Sequence, residues 1–99
     1  SDVAHFLTSI SLAARVGERL NKIEYGSLHS VVRAAQDSFL SSYENQSKAL
    51  GLNPLNLDLV SYLQLRQYLF EIIYAVNYLP RWLYAPIISL QQELGWANG

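Results

Sequence analysis

The chain has 99 residues, enough for one domain around one core and too few for two. Apolar residues make up 51% and charged residues only 15%, below the usual quarter, so part of the surface is expected to be covered by a partner chain or by more of the same protein. The net charge is −1 with the basic residues scattered, which argues against nucleic acid as a partner, and the lack of cysteine excludes disulfides, zinc–thiolate sites and thiol chemistry.

Taken in chain order, residues 3–22 read as a first helix, with Asp2 at the position of an N-cap. Val3, Phe6, Leu7, Ile10, Ala14 and Gly17 recur at spacings of three and four and predict its buried stripe. Thr8, Ser11, Arg15, Glu18 and Lys22 form the opposite, polar stripe, with Glu18 and Lys22 in the favourable i, i+4 order. Gly17 costs some helicity and suggests the close approach of a neighbour. The pattern breaks over residues 23–26, and Ser27 looks like the N-cap of a second helix. Leu28, Val31, Val32, Ala35, Phe39 and Tyr43 predict its inner face, and Gly51 offers the left-handed residue that ends it.

Asn53 and Pro54 open a turn, and a third helix is predicted over about residues 58–79. Its strongest stripe is Tyr62, Leu65, Leu69, Ile72, Val76 and Leu79, with Leu59, Leu63, Phe70 and Ile73 beside it. Apolar residues over so much of the circumference predict a long helix packed on several sides. Pro80 predicts a break, residues 81–84 a short aromatic turn, and Pro86 the start of a last helix that runs to Leu94 and ends at Gly95. No segment alternates with period two. The expected fold is therefore all-α: an irregular bundle of about four helices with a long central third helix, forming one domain over residues 1–99.

No charged and apolar leader opens the chain, so no signal peptide is expected and a cytoplasmic location is the default. The most apolar stretch, residues 68–90, is interrupted by Glu71, Asn77, Pro80, Arg81 and Pro86, so no membrane span is expected.

The chemistry-bearing residues are sparse. His5 and His29 share no helical metal spacing with a carboxylate, and no metal site is expected. The serines lack a neighbouring base, and no glycine-rich phosphate loop or nucleophile elbow occurs, so no catalytic residue is assigned. Glu71 stands out on the most apolar helix. It either lies on that helix's one polar edge, with Gln64, Tyr68, Ala75 and Tyr78, or lines a pocket for a polar or cationic ligand. The segment Tyr74, Asn77, Tyr78, Arg81, Trp82 and Tyr84 is dense in aromatics with polar tips, which suit a core edge or a binding cleft. The candidate substrate-binding set is Glu71, Tyr74, Asn77, Tyr78 and Trp82.

The opening run Ser1-Asp2-Val3-Ala4-His5-Phe6-Leu7 resembles a stretch of the aminoglycoside phosphotransferase and choline kinase-like superfamily. There an Asp-(Val/Leu)-Ala-x-(Phe/Leu)-Leu run follows the metal-binding aspartate and begins the helical half of the C-terminal lobe. Phe39-Leu40-Ser41-Ser42-Tyr43 and Tyr78-Leu79-Pro80-Arg81-Trp82 are similar to the helices that come later in such enzymes. The resemblance implies that this chain is the C-terminal helical subdomain of a larger kinase. Asp2 would be a structural brace for the catalytic loop, and the late helices would form one wall of the site for a small-molecule acceptor. The family's His-x-Asp motif, nucleotide-binding lobe and metal-binding aspartate are missing, so ATP and magnesium would be held only by the absent N-terminal kinase portion, and the chain alone could not transfer a phosphoryl group. Two other readings stay open at this point. One is an independent helical interaction module or homodimer that buries the apolar excess, and the other is a small ligand-binding helical domain with an enclosed cavity beside the third helix.

Overall fold

The computed structural model describes residues 2–95, so Ser1 of the opening motif lies outside the described residues. The first helix, α1, spans Asp2–Leu20. Asp2 stands in its first turn, where the helix dipole favours negative charge. The helix ends in a reciprocal pair of backbone bonds, Lys22 N–H to Arg19 C=O at 3.2 Å and Ile23 N–H to Glu18 C=O at 3.0 Å. That closure puts Lys22 in the left-handed region, at φ 56°.

The second helix, α2, spans His29–Ala49 and begins two residues beyond Ser27. Ser27 does not cap it. Its hydroxyl instead donates to the Glu24 carbonyl within the preceding turn. No side chain caps the helix; at its entry Leu28 N–H donates to the Glu18 carboxylate of α1 at 2.8 Å. α2 closes by the same pattern as α1, Gly51 N–H to Lys48 C=O and Leu52 N–H to Ser47 C=O, here with the expected Gly51 at φ 71°.

The third helix, α3, spans Leu57–Tyr78, and the Asn56 side chain caps it by accepting from Leu59 N–H at 3.1 Å. Pro80 ends the helix and begins a 3₁₀ turn, Pro80–Trp82. The last helix, α4, spans Tyr84–Leu94, with Gly95 left-handed at its end. Pro86 therefore lies inside the first turn of α4 rather than at its first position. The turn tolerates it because the first N–H groups of a helix have no partner within the helix.

The fold is an all-α bundle, and among the described residues there is no strand. α3 is the longest helix and packs against α1, α4 and the 3₁₀ turn, while α1 packs against each of the other three. No helix among the described residues is long and apolar enough to cross a membrane.

The interior differs from the predicted stripes. A small apolar cluster, Val3, Leu7 and Val60, is backed by Phe39, Leu40 and Leu55. Beside it the buried side chains are largely polar: Thr8, Ser11, Arg15, Glu18, Gln36, Gln64 and Ser89. Thus α1 turns its predicted polar stripe inward as far as Glu18, and Phe6 of the predicted buried stripe is 47% exposed. On α3 the buried positions are Val60, Gln64, Tyr68 and Ala75, largely its predicted polar edge. Most of the strong apolar stripe faces outward, with Tyr62 62%, Leu69 52% and Val76 58% exposed and Leu65 and Ile72 half-buried, and Ile73 of the neighbouring stripe is exposed beside it.

The inward polar groups are tolerated because most find partners. Thr8 donates to Ala4 C=O, Ser11 to Ser89 Oγ, and Gln36 to Leu7 C=O, at 2.8–2.9 Å. Gly17 makes no close approach. A Cβ there would stand 3.9 Å from Leu28 Cδ1, an ordinary contact.

Candidate functional site

The break at Pro80 folds the aromatic segment back over the first and third helices. One groove, of about 160 Å³, lies between the second half of α1, the C-terminal half of α3 and the start of α4. Glu71 and Tyr74 of α3 and Trp82 of the 3₁₀ turn line it, over a floor that includes Leu12, Val16 and Ala75. Gln67, one turn earlier, donates to Glu71 Oε1 at 3.0 Å and fixes the carboxylate. The groove thus has one hydrogen-bonded carboxylate and two aromatic side chains in its lining. This arrangement can take a cation or a donor group attached to an apolar ring face.

The structure brings together three of the five predicted binding residues. Tyr78 is 70% exposed and packs its ring on Tyr74, with centroids 5.0 Å apart, so it supports the wall from outside. Asn77 is exposed and turns its amide back to the Ile73 carbonyl of its own helix, at 2.8 Å. Neither lines the groove. Asp2 is exposed at the far end of α1, beside His5 in a shallow depression. Among the described residues no three His, Asp or Glu side chains gather as metal ligands.

Two features were not assembled by sequence reasoning, although Arg81, Trp82 and Tyr84 of the second already stood there as core-edge or cleft residues. The first is a buried polar network between the helices. Arg15 and Glu18 are both fully buried, with Arg15 Nε 2.7 Å from Glu18 Oε1 and Nη2 donating to Oε2 at 2.9 Å. The Nε contact is an ion pair rather than an aligned hydrogen bond, and Nη1 meets no acceptor among the described residues. Tyr68 is fully buried nearby. Burial pushes its phenol up to about 12 against a smaller opposing effect of the Ser11 hydroxyl, and its oxygen makes no well-aligned hydrogen bond to the described residues. The uncharged polar residues of the inward faces, Thr8, Ser11, Gln64 and Tyr68, were the available signal, since such groups tolerate burial far better than charges do.

The second is a pocket of about 220 Å³ on the outer side of Trp82, lined by Val16, Arg19, Leu20, Arg81, Trp82 and Tyr84. Arg19 lies over the Tyr84 ring, 4.5 Å from its centre. Tyr25 stacks on Tyr84 at 5.4 Å and Trp82 at 6.5 Å.

Comparison with known proteins adds sequence relatives. The chain is 34% identical over 93 residues to a glucosamine kinase of Mycolicibacterium smegmatis, which covers 90% of this chain and 23% of that protein. It is 33% identical over 95 residues to a glucosamine kinase of Streptacidiphilus jiangxiensis, covering 94% of this chain and 22% of that protein. The chain therefore spans less than a quarter of the length of these curated relatives. No protein-family profile and no solved structure matches it.

Proposed function

We propose that this chain is the C-terminal helical part of an amino-sugar kinase of the aminoglycoside phosphotransferase-like kind. It forms one wall of the acceptor site and braces, through the start of α1, the portion that holds ATP and magnesium. The observation that carries this reading is the match to two glucosamine kinases, which takes in nearly all of this chain and less than a quarter of theirs. The outward apolar stripe of α3 supports it, because a helix with one stripe packed inside the domain and a second apolar stripe left bare needs a further body to cover it.

In this reading the Glu71 carboxylate receives the ammonium of an amino sugar. The faces of Tyr74 and Trp82 take the apolar side of the sugar ring. Phosphoryl transfer itself is performed by groups outside this chain.

The test begins with the native polypeptide that carries this segment. A species several times this chain's mass, with ATP-dependent phosphorylation of glucosamine, is the expected result. Glu71→Gln in that protein should raise KM for glucosamine about tenfold, the worth of one charge-assisted hydrogen bond, and leave KM for ATP unchanged. A native polypeptide of only 99 residues, or a full-length protein without sugar kinase activity, overturns the reading.

A further inference from the structure

The pocket on the outer side of Trp82 is separate from the Glu71 groove in its chemistry. Its walls are apolar and aromatic, and the charged groups at its rim are two guanidiniums, Arg19 and Arg81. Neither forms an ion pair with a carboxylate of the described residues. The ion pairs there join Arg15 to Glu18, Arg33 to Glu93 and Lys48 to Glu44. Arginine left without a carboxylate, beside an apolar floor, presents a planar fork of donors suited to a carboxylate or phosphate.

The site is also pre-ordered. Tyr84 stacks with Tyr25, neighbours the Trp82 ring and carries Arg19 over its own ring, so the Tyr84 wall and one cation are already positioned by aromatic contacts. The volume, about 220 Å³, is below the range typical of drug-sized ligands and suits a single ring with one charged substituent.

We propose that this pocket, formed by the end of α1, the 3₁₀ turn and the first residue of α4, binds a small phosphate or carboxylate carried on a single ring. The ring packs on Trp82, Val16 and Leu20, and Arg19 and Arg81 hold the anion. This site stands independently of the kinase reading.

The experiment follows the amide and indole signals of the 15N-labelled 99-residue chain by NMR. Phenyl phosphate, inorganic phosphate and benzyl alcohol are titrated in turn at low and high salt. Phenyl phosphate should shift signals at Leu20 and residues 81–84, saturate, and bind more weakly at high salt, because the guanidiniums are exposed and screened. Inorganic phosphate and benzyl alcohol should each bind several-fold more weakly. Arg81→Gln and Arg19→Gln should each weaken phenyl phosphate about three- to tenfold, between the worth of an exposed ion pair and that of a charge-assisted hydrogen bond. Both are surface changes that leave the fold intact. Shifts centred elsewhere, benzyl alcohol binding as well as phenyl phosphate, inorganic phosphate binding as well as phenyl phosphate, or affinity unchanged in both arginine variants would each overturn the proposal.

Discussion

Arg15, Glu18 and Tyr68 set the character of the interior. A fully buried ion pair contributes little net stability, because the desolvation of both charges offsets their attraction, but removing one partner strands the other. Glu18→Ala strands the Arg15 guanidinium and also takes the acceptor from Leu28 N–H at the start of α2. It should cost about 3–5 kcal/mol by urea denaturation, and Arg15→Met in the same chain should return a large part of that loss. If Glu18→Ala alone unfolds within about 1 kcal/mol of wild type, the pair is not buried as described. Tyr68 gives a pH signature. Its phenol, pushed up to about 12 by burial, stays protonated in the native state while the unfolded chain ionises near 10. The unfolded state thus binds fewer protons across that window. This contribution to stability is fully present below about pH 10 and declines between about 10 and 12 at close to 1.4 kcal/mol per pH unit. Tyr68→Phe should flatten that part of the pH–stability curve. It should cost little near neutrality, because the hydroxyl that it removes lacks a well-aligned partner.

The helices themselves were largely readable from the sequence. Gly51, Pro80 and Gly95 act through backbone conformation, which is local, and each terminates an element where its chemistry predicts. Ser27 does not cap α2 because its hydroxyl is turned to the Glu24 carbonyl in the preceding turn, while Leu28 N–H finds its acceptor ten residues back, on Glu18 of another helix, a bond that no local pattern encodes. The comparison of α1 with α2 leads to a prediction. Both close with the same pair of backbone bonds, yet α1 places Lys22, and α2 places Gly51, at the left-handed position. Lys22→Gly should stabilise the chain by about 0.5–1 kcal/mol, because a side chain with a Cβ disfavours that conformation and glycine does not. Gly17→Ala should add a similar amount, about 0.5–1 kcal/mol, since the position is helical and a Cβ there meets only an ordinary contact with Leu28. Thermal unfolding followed by circular dichroism reads both. A lower melting temperature for Gly17→Ala would show that α1 and the following turn sit closer than described.

For the whole molecule, periodicity located the apolar faces, but it could not tell which of them the domain covers for itself. The exposed members of the two apolar stripes, Tyr62, Leu69 and Val76 with Ile73 beside them, have the regular spacing of a core face and are left outward, while the less apolar side of α3, Gln64 and Tyr68, is packed on the rest of the domain. Hydrophobic spacing records that a face is buried somewhere. It does not record whether the covering surface lies within these 99 residues. The Glu71 groove was legible only in part: a lone carboxylate on an apolar helix marks a place where the packing is interrupted, but the sequence left it either on the helix's polar edge or in a pocket. Asn77 and Tyr78 were not separable from Glu71, Tyr74 and Trp82, because only the Pro80 break decides which of them the chain folds over.

The outward stripe distinguishes the covering partners by a double substitution, Leu69→Ser with Ile73→Ser. In the isolated 99-residue chain both side chains are already more than half exposed, so stability should change by no more than about 0.5 kcal/mol. In the longer kinase the same two side chains would be covered, and losing them should cost about 2–5 kcal/mol and lower the melting temperature of the whole enzyme. Sedimentation of the isolated chain supplies the opposing arm. A tight wild-type dimer that the double substitution converts to monomers would assign the stripe to a second copy of the chain. An isolated chain that associates weakly and without a fixed stoichiometry, together with a destabilised full-length enzyme, would assign it to the catalytic portion, because an apolar surface deprived of its own partner associates without a defined geometry.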